Sequence, residues 1–216
     1  MGTVLYTGFA AHPEDLRWGL LASSILDTVL CQNPALRYHT FTPKRLVGVD
    51  VGVLDHGSGD ELLCLLDARH GCLIKGFDHE SPMSPHARDE FRAWPGVLDE
   101  APRELLAHLE EPEFRREETT FCVWRGRTDK CWWRGEVQEP DEGEWSATLL
   151  DHIFLDAGAY LSWAREHYSR KDIPSGPVEA VYGSCRIDEA TVRAINPKAD
   201  LDMVSRELAA MGVPFA

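Results

Sequence analysis

The chain has 216 residues, 44% of them apolar and 27% charged, enough to bury one sizeable core. Its 22 Lys and Arg stand against 36 Asp and Glu, and a formal charge of -14 makes the average surface repel phosphate backbones, which argues against nucleic acid as a partner. No apolar stretch reaches the roughly 18 residues that a membrane-spanning helix needs, since even Trp18 to Leu30 is broken by Ser23, Ser24 and Asp27.

The opening MGTVLYTGFAAHPED lacks a positive region ahead of its short apolar part and does not read as a signal peptide. Tyr6 stands where a myristoylation signal wants Ser or Thr. From His12 to Leu30, Leu16, Leu20, Leu21, Ile25 and Val29 recur at helical spacing, with Pro13, Glu14 and Asp15 in the first turn. This predicts a long amphipathic helix that ends before Pro34. In LVGVDVGVLD, Val47, Val49, Val51 and Val53 alternate with other residues and would line one face of a strand. LLCLLD and CLIKGF flank Ala68-Arg69-His70-Gly71, a hairpin pattern that puts Cys64 and Cys72 on neighbouring strands.

Ser84 followed by Pro85 is a helix-start pattern and predicts a helix over His86 to Phe91, with another at Pro102 to Leu109 inside a proline-punctuated crossover. TTFCVWRGRTDKCWWRGEV reads as a second hairpin about Gly126 to Asp129, in which one turn register sets Cys122 opposite Cys131. The last third shows helical spacing at Trp145 to Ile153, Ala157 to Tyr168, Asp188 to Ile195 and Leu201 to Met211, with Asp156, Asp188 and Asp200 as caps. The expected fold class is α+β. A mainly antiparallel sheet built from hairpins is combined with a long N-terminal helix and a helical C-terminal third from about residue 145, in a single domain spanning 1–216. Six cysteines without a CxxC pair read as buried thiols in a reducing cytoplasm.

Chemistry concentrates in two polar loops. DHGSGDE, residues 55–61, has two glycines but neither a Walker pattern nor a GxGxxG before a helix, so it does not read as a phosphate cradle. If consecutive strands lie side by side, this loop and the exit of CLIKGF share one rim. Asp55, His56, Asp60, Asp78, His79 and Glu80 then gather as candidates for holding a divalent cation or for general acid-base work. The same residue types also serve as turn caps, with Asp78, Ser81 and Ser84 each accounted for in that way. No spacing such as HExxH fixes two ligands on one element, and no GxSxG motif marks a nucleophile. On the second hairpin, Trp124, Trp132 and Trp133 rimmed by Arg125, Arg127 and Arg134 form a candidate interaction patch, unless a helix of the last third covers that face.

The stretches GSGDELLCLLDARHGCLIKGFDHESPMSP, TTFCVWR and INPKADLDMVSRELAAMG resemble an uncharacterised family of soluble bacterial proteins marked by a GFDHES-x-x-SP segment. The resemblance implies a bacterial cytoplasmic protein and brings no reaction or cofactor with it. In size, charge and class the chain is also similar to immunity proteins of bacterial toxin systems. The leading expectation is a binding protein without catalytic turnover whose acidic surface engages a basic protein partner. The alternatives are a metal-dependent hydrolase or small-molecule enzyme using the Asp55–Asp60 and Asp78–Glu80 loops, and a homo-oligomer that hides the aromatic hairpin.

Overall fold

A computed structural model describes residues 2–138 and 145–215. The chain forms two compact units. One is built from the residues up to Pro13 together with Lys44–His152, the other from Glu14–Pro43 and the residues from Ile153 onward.

The first unit is organised by a seven-stranded sheet of β1 (Thr3–Tyr6), β2 (His39–Leu46), β3 (Val49–Asp55), β4 (Glu61–Asp67), β5 (Gly71–Phe77), β6 (Phe121–Gly126) and β7 (Trp132–Gly135). The strand order is β1-β7-β6-β5-β4-β3-β2, so β2 to β7 run as a meander and β1 joins beyond β7. The boundary between the units falls inside β2. The pairings β3–β4, β4–β5, β5–β6, β6–β7 and β1–β7 are antiparallel, the geometry that short hairpin connections impose.

Register explains the valine alternation. Val51 pairs with Leu65, Leu65 with Leu73 and Leu73 with Trp124, a row of apolar side chains crossing four strands on one face. Val49 and Val51 are buried there and Val53 partly so. Val47 lies in the turn before β3, 93% exposed, so the apolar face starts one alternation later than the sequence pattern predicts. The β5–β6 connection covers this row with Val97, Leu105, Leu109 and Phe114. Each fully buried aliphatic or aromatic side chain there contributes on the order of 1.5–3 kcal/mol. The connection contains α2 (Arg103–Leu106), which passes into a 3-10 turn at Ala107–Glu110, and it presses closely onto β7. A Cβ on Gly135 would lie 1.9 Å from the carbonyl oxygen of Gly96, so only glycine fits there. The helix expected over His86 to Phe91 is a single 3-10 turn, Pro85–Ala87. Ser84 caps it by accepting from His86 N, but Arg88 is already extended and Phe91 is exposed, so no buried face rewards a longer helix.

The second hairpin pairs Trp124 with Trp133, a register that sets Cys122 across from Lys75 on β5 and leaves Cys131 ahead of β7. The two cysteines therefore do not face each other, and all six cysteines are free.

In the second unit, α1 (Pro13–Leu30) contributes a run buried from Gly19 to Val29. Its polar interruptions are satisfied: Ser24 Oγ donates to Leu20 O and Thr28 Oγ1 to Ser24 O within the helix, and Ser23 Oγ meets the Tyr182 hydroxyl at 2.9 Å. Four further helices follow: α3 (Ala157–His167), α4 (Ser175–Ser184), α5 (Glu189–Ile195) and α6 (Leu201–Ala210). Asp156, Asp188 and Asp200 accept from Ala159 N, Thr191 N and Met203 N, each occupying the N-cap of its helix. Asp27 is fully buried on α1. It accepts from His39 N and His39 Nδ1 through Oδ2, and from the Tyr160 hydroxyl through Oδ1 at 2.6 Å. Burial, and then the Asp27 charge, push the Tyr160 hydroxyl well above its ordinary value and keep it a donor.

Candidate functional site

The rim predicted from the two polar loops exists. β4 starts where β5 ends, Glu61 lying opposite Phe77, so the loop before β4 and the residues after β5 emerge at the same edge. Gly59, at φ +110°, lets the first loop fold back to within van der Waals reach of the His79 ring. Asp60 Oδ1 accepts from the backbone N of His79 at 3.0 Å and meets His79 Nδ1 at 2.7 Å. One oxygen thus fastens the two loops together.

Asp60, Asp78 and His79 bring one potential ligand atom each within 4.8 Å of one another, and they are the one such group among the described residues. Asp78 is locally tied as well: its Oδ1 accepts from Glu80 N and Ser81 N, and its own N donates to Thr120 Oγ1. Burial raises the Asp78 carboxyl above its usual range, and the Asp60 charge adds to this against the lowering by the Glu80 amide. The hydrogen bond that Asp60 accepts from its ring raises His79. An imidazole whose Nδ1 faces a carboxylate has a fixed orientation and presents Nε2 as ligand or base. Glu80 Oε1 stands 3.9 Å from that Nε2 on a largely exposed side chain.

The other two candidates do not join the cluster. Asp55 Oδ1 accepts from Gly57 N in a turn of its own, and His56 meets Ser58 Oγ through Nδ1 while its N donates to Asp60 O. Both shape the loop that delivers Asp60.

Sequence reasoning missed a second polar network on the same unit. Lys75, on β5, is 1% exposed and donates from Nζ to the carbonyl of Phe114 at 2.7 Å. Burial lowers its ammonium to about 8. Arg115 pairs with Glu61 at 2.7 Å and with Glu118 at 3.2 Å, and Glu118 in turn meets His86. The period-2 pattern of CLIKGF signals that position 75 points inward, but nothing local announces that a lysine is tolerated there.

The aromatic hairpin presents little of its rings to solvent. Trp124 and Trp132 are 2% and 1% exposed, and Trp133 packs half-buried against the core of the β5–β6 connection. The cover over Trp132 includes the segment after β1: Phe9 stacks edge-on at 5.2 Å and Ala11 O accepts from Trp132 Nε1. Arg125 is engaged by Asp129 O and Ala11 O. Trp132 and Trp133 do point to opposite faces, the first toward Phe9 and Ala11 and the second toward the core beneath the β5–β6 connection.

The acidic surplus is unevenly placed. The first unit carries 24 Asp and Glu against 13 Lys and Arg, the second 12 against 9, so formal balances of -11 and -3. Residues 89–118 alone hold ten carboxylates and four arginines, and nine of those carboxylates are exposed. Among the described residues no helix is long and apolar enough to cross a membrane. Neither a protein-family model, nor a curated protein, nor a solved structure matches this chain.

Proposed function

We propose that the protein is a bacterial cytoplasmic binding protein that acts by engaging a basic protein partner, in the manner of an immunity protein that neutralises a toxin. The observation that carries this reading is the excess of exposed carboxylates on the β5–β6 connection, six more acids than arginines within thirty residues. A one-sign surface speeds encounter with the opposite sign and disfavours acidic competitors. With Trp124 and Trp132 buried, the docking face moves from the aromatic hairpin to this connection. The test is affinity capture from the native lysate at low ionic strength, with elution by salt. The expected result is a basic protein that elutes as salt rises and is encoded beside this chain's gene. Recovery of no basic protein at low salt overturns the reading.

A second reading is favoured by the convergence of Asp60, Asp78 and His79: a divalent cation held at the rim, serving hydrolysis or small-molecule binding. Two carboxylates and an imidazole suit Zn, Mn or Mg in that order of decreasing softness. Added cation then raises the melting temperature of the unaltered protein, and Asp78→Ala with His79→Ala abolishes the rise. A melting temperature indifferent to all three ions removes this reading.

A further inference from the structure

The β5–β6 connection encloses an open groove of about 550 Å³, within the range of ligand-sized pockets. Its apolar wall is Trp94 and Leu98, each half-buried with one side against the core beneath. Trp94 is held in place by donation from Nε1 to Gln138 O at 3.2 Å. The chain already sets one guanidinium on this indole: Arg88 Cζ lies 5.0 Å from the ring centroid. The rim carries Asp99, Glu110 and Glu117. Asp99 and Glu117 are exposed and carry no ion pair among the described residues. The two arginines at the groove are neutralised by their own segment, Arg92 by Glu90 at 2.6 Å and Arg116 by Glu110.

We infer that this groove seats a cationic side chain of a basic protein partner. Its aliphatic stem lies along Trp94 and Leu98, and its charged head meets Asp99 and Glu117. The inference rests on the reading of a basic partner and adds the anchor point. The groove supplies what diffuse charge does not: an aromatic wall that excludes water from one side of the ion and two carboxylates with capacity to accept from it. Arginine suits it better than lysine, because a planar guanidinium can donate to two carboxylates from its edges, beside an indole whose ring face Arg88 already covers. An interface hot spot needs a pocket together with a charge to fill it, and this groove offers both.

The experiment is calorimetric titration with a capped hexa-arginine peptide at low ionic strength, using the full chain. Asp99→Asn with Glu117→Gln removes the two groove carboxylates. Glu179→Gln with Asp202→Asn removes two exposed carboxylates of the second unit and matches the change in net charge. The groove variant is expected to bind about tenfold more weakly and the matched variant less than about twofold. Equal weakening in both overturns the groove as anchor and leaves the basic-partner reading standing. Failure of the unaltered protein to bind the peptide overturns both.

Discussion

Asp27 meets His39 at 2.9 Å and Asp60 meets His79 at 2.7 Å, and in each pair the carboxylate also accepts from the backbone N of the same histidine. The surroundings differ completely. In the second unit the side chains of Asp27 and His39 are 0% and 1% exposed, ringed by Phe154, Tyr160 and Trp163. In the first unit those of Asp60 and His79 are 22% and 42% exposed on a loop rim. The same bond geometry therefore has two uses. Water competes for every donor at the rim, so that pair adds little to stability and stays open to an incoming ligand. No water reaches the buried pair, so each of its members depends on the other.

The largest effect follows from removing the buried carboxylate. Asp27→Ala strands the His39 amide and ring and the Tyr160 hydroxyl in an apolar cage, and breaking a buried pair of this kind costs on the order of 3–5 kcal/mol. Denaturant unfolding at neutral pH measures it. A loss under about 1 kcal/mol would show that the cage admits water and that burial is not what separates the two pairs.

Asp67 lies between the extremes. It ends β4, with its side chain 4% exposed, and accepts from Arg69 N, His70 N, His70 Nδ1 and His108 Nε2. It thereby ties the β4–β5 turn to the connection that covers the sheet. Burial opposes its ionisation, but the hydrogen bonds from His70, His108 and the turn amides outweigh it together and hold the carboxyl at about 2, against 3.8 ordinarily. A depressed acid stabilises the fold above its unfolded value and loses that contribution as pH falls, here between about 4 and 2. Asp67→Asn is expected to cost about 2 kcal/mol at neutral pH and to flatten the acid limb of the stability curve in that window. An unchanged acid limb would mean that other carboxylates govern it.

How far these sites were legible in the sequence depends on how local their causes are. The rim was legible because two hairpin-forming runs, LLCLLD and CLIKGF, fix which strand ends coincide, and Asp60 and His79 sit at those ends. The caps Asp156, Asp188 and Asp200 were legible because a cap acts within three residues. Strand β2 was not, since HTFTPKRL carries Pro43 and weak alternation, and its pairing comes from β3. Helix α4 was hidden by Pro174, Gly176 and Pro177, which read as a loop, although Val178, Val181 and Tyr182 bury its inner face. The Asp27 network joins residues 133 apart in sequence, and in the sequence pattern Asp27 reads only as an interruption of a helix. Trp94 likewise looks like a turn residue in AWPG until the connection folds around it.

Lys75 tests whether a buried charge that pairs with no carboxylate among the described residues behaves like either pair. Its folded-state value of about 8 lies below the ordinary 10.5, so between those values the unfolded chain binds a proton that the folded chain does not, and stability rises with pH. Below about 8 the fold carries the burden of a desolvated ammonium. Lys75→Met removes that burden and leaves the Phe114 carbonyl without its donor, two opposing effects that leave neutral-pH stability within about 1 kcal/mol. The rise between pH 8 and 10.5 should vanish in the variant. If it persists, another group is its source.

The smallest effect belongs to the exposed pair, and it is the one that tests the rim as a ligand site. Asp60 raises His79 by a hydrogen bond, so protonation of His79 favours the fold below its ordinary value of 6.5, and that preference is lost as pH rises through the raised value. Asp60→Asn should leave the denaturant midpoint where it is and return the His79 titration, followed through its ring protons by NMR, toward 6.5. A midpoint that moves as far as that of Asp27→Ala would mean that the rim pair is structural after all. A histidine whose titration responds to its partner while the fold does not is one whose bonding the protein can give up to a ligand.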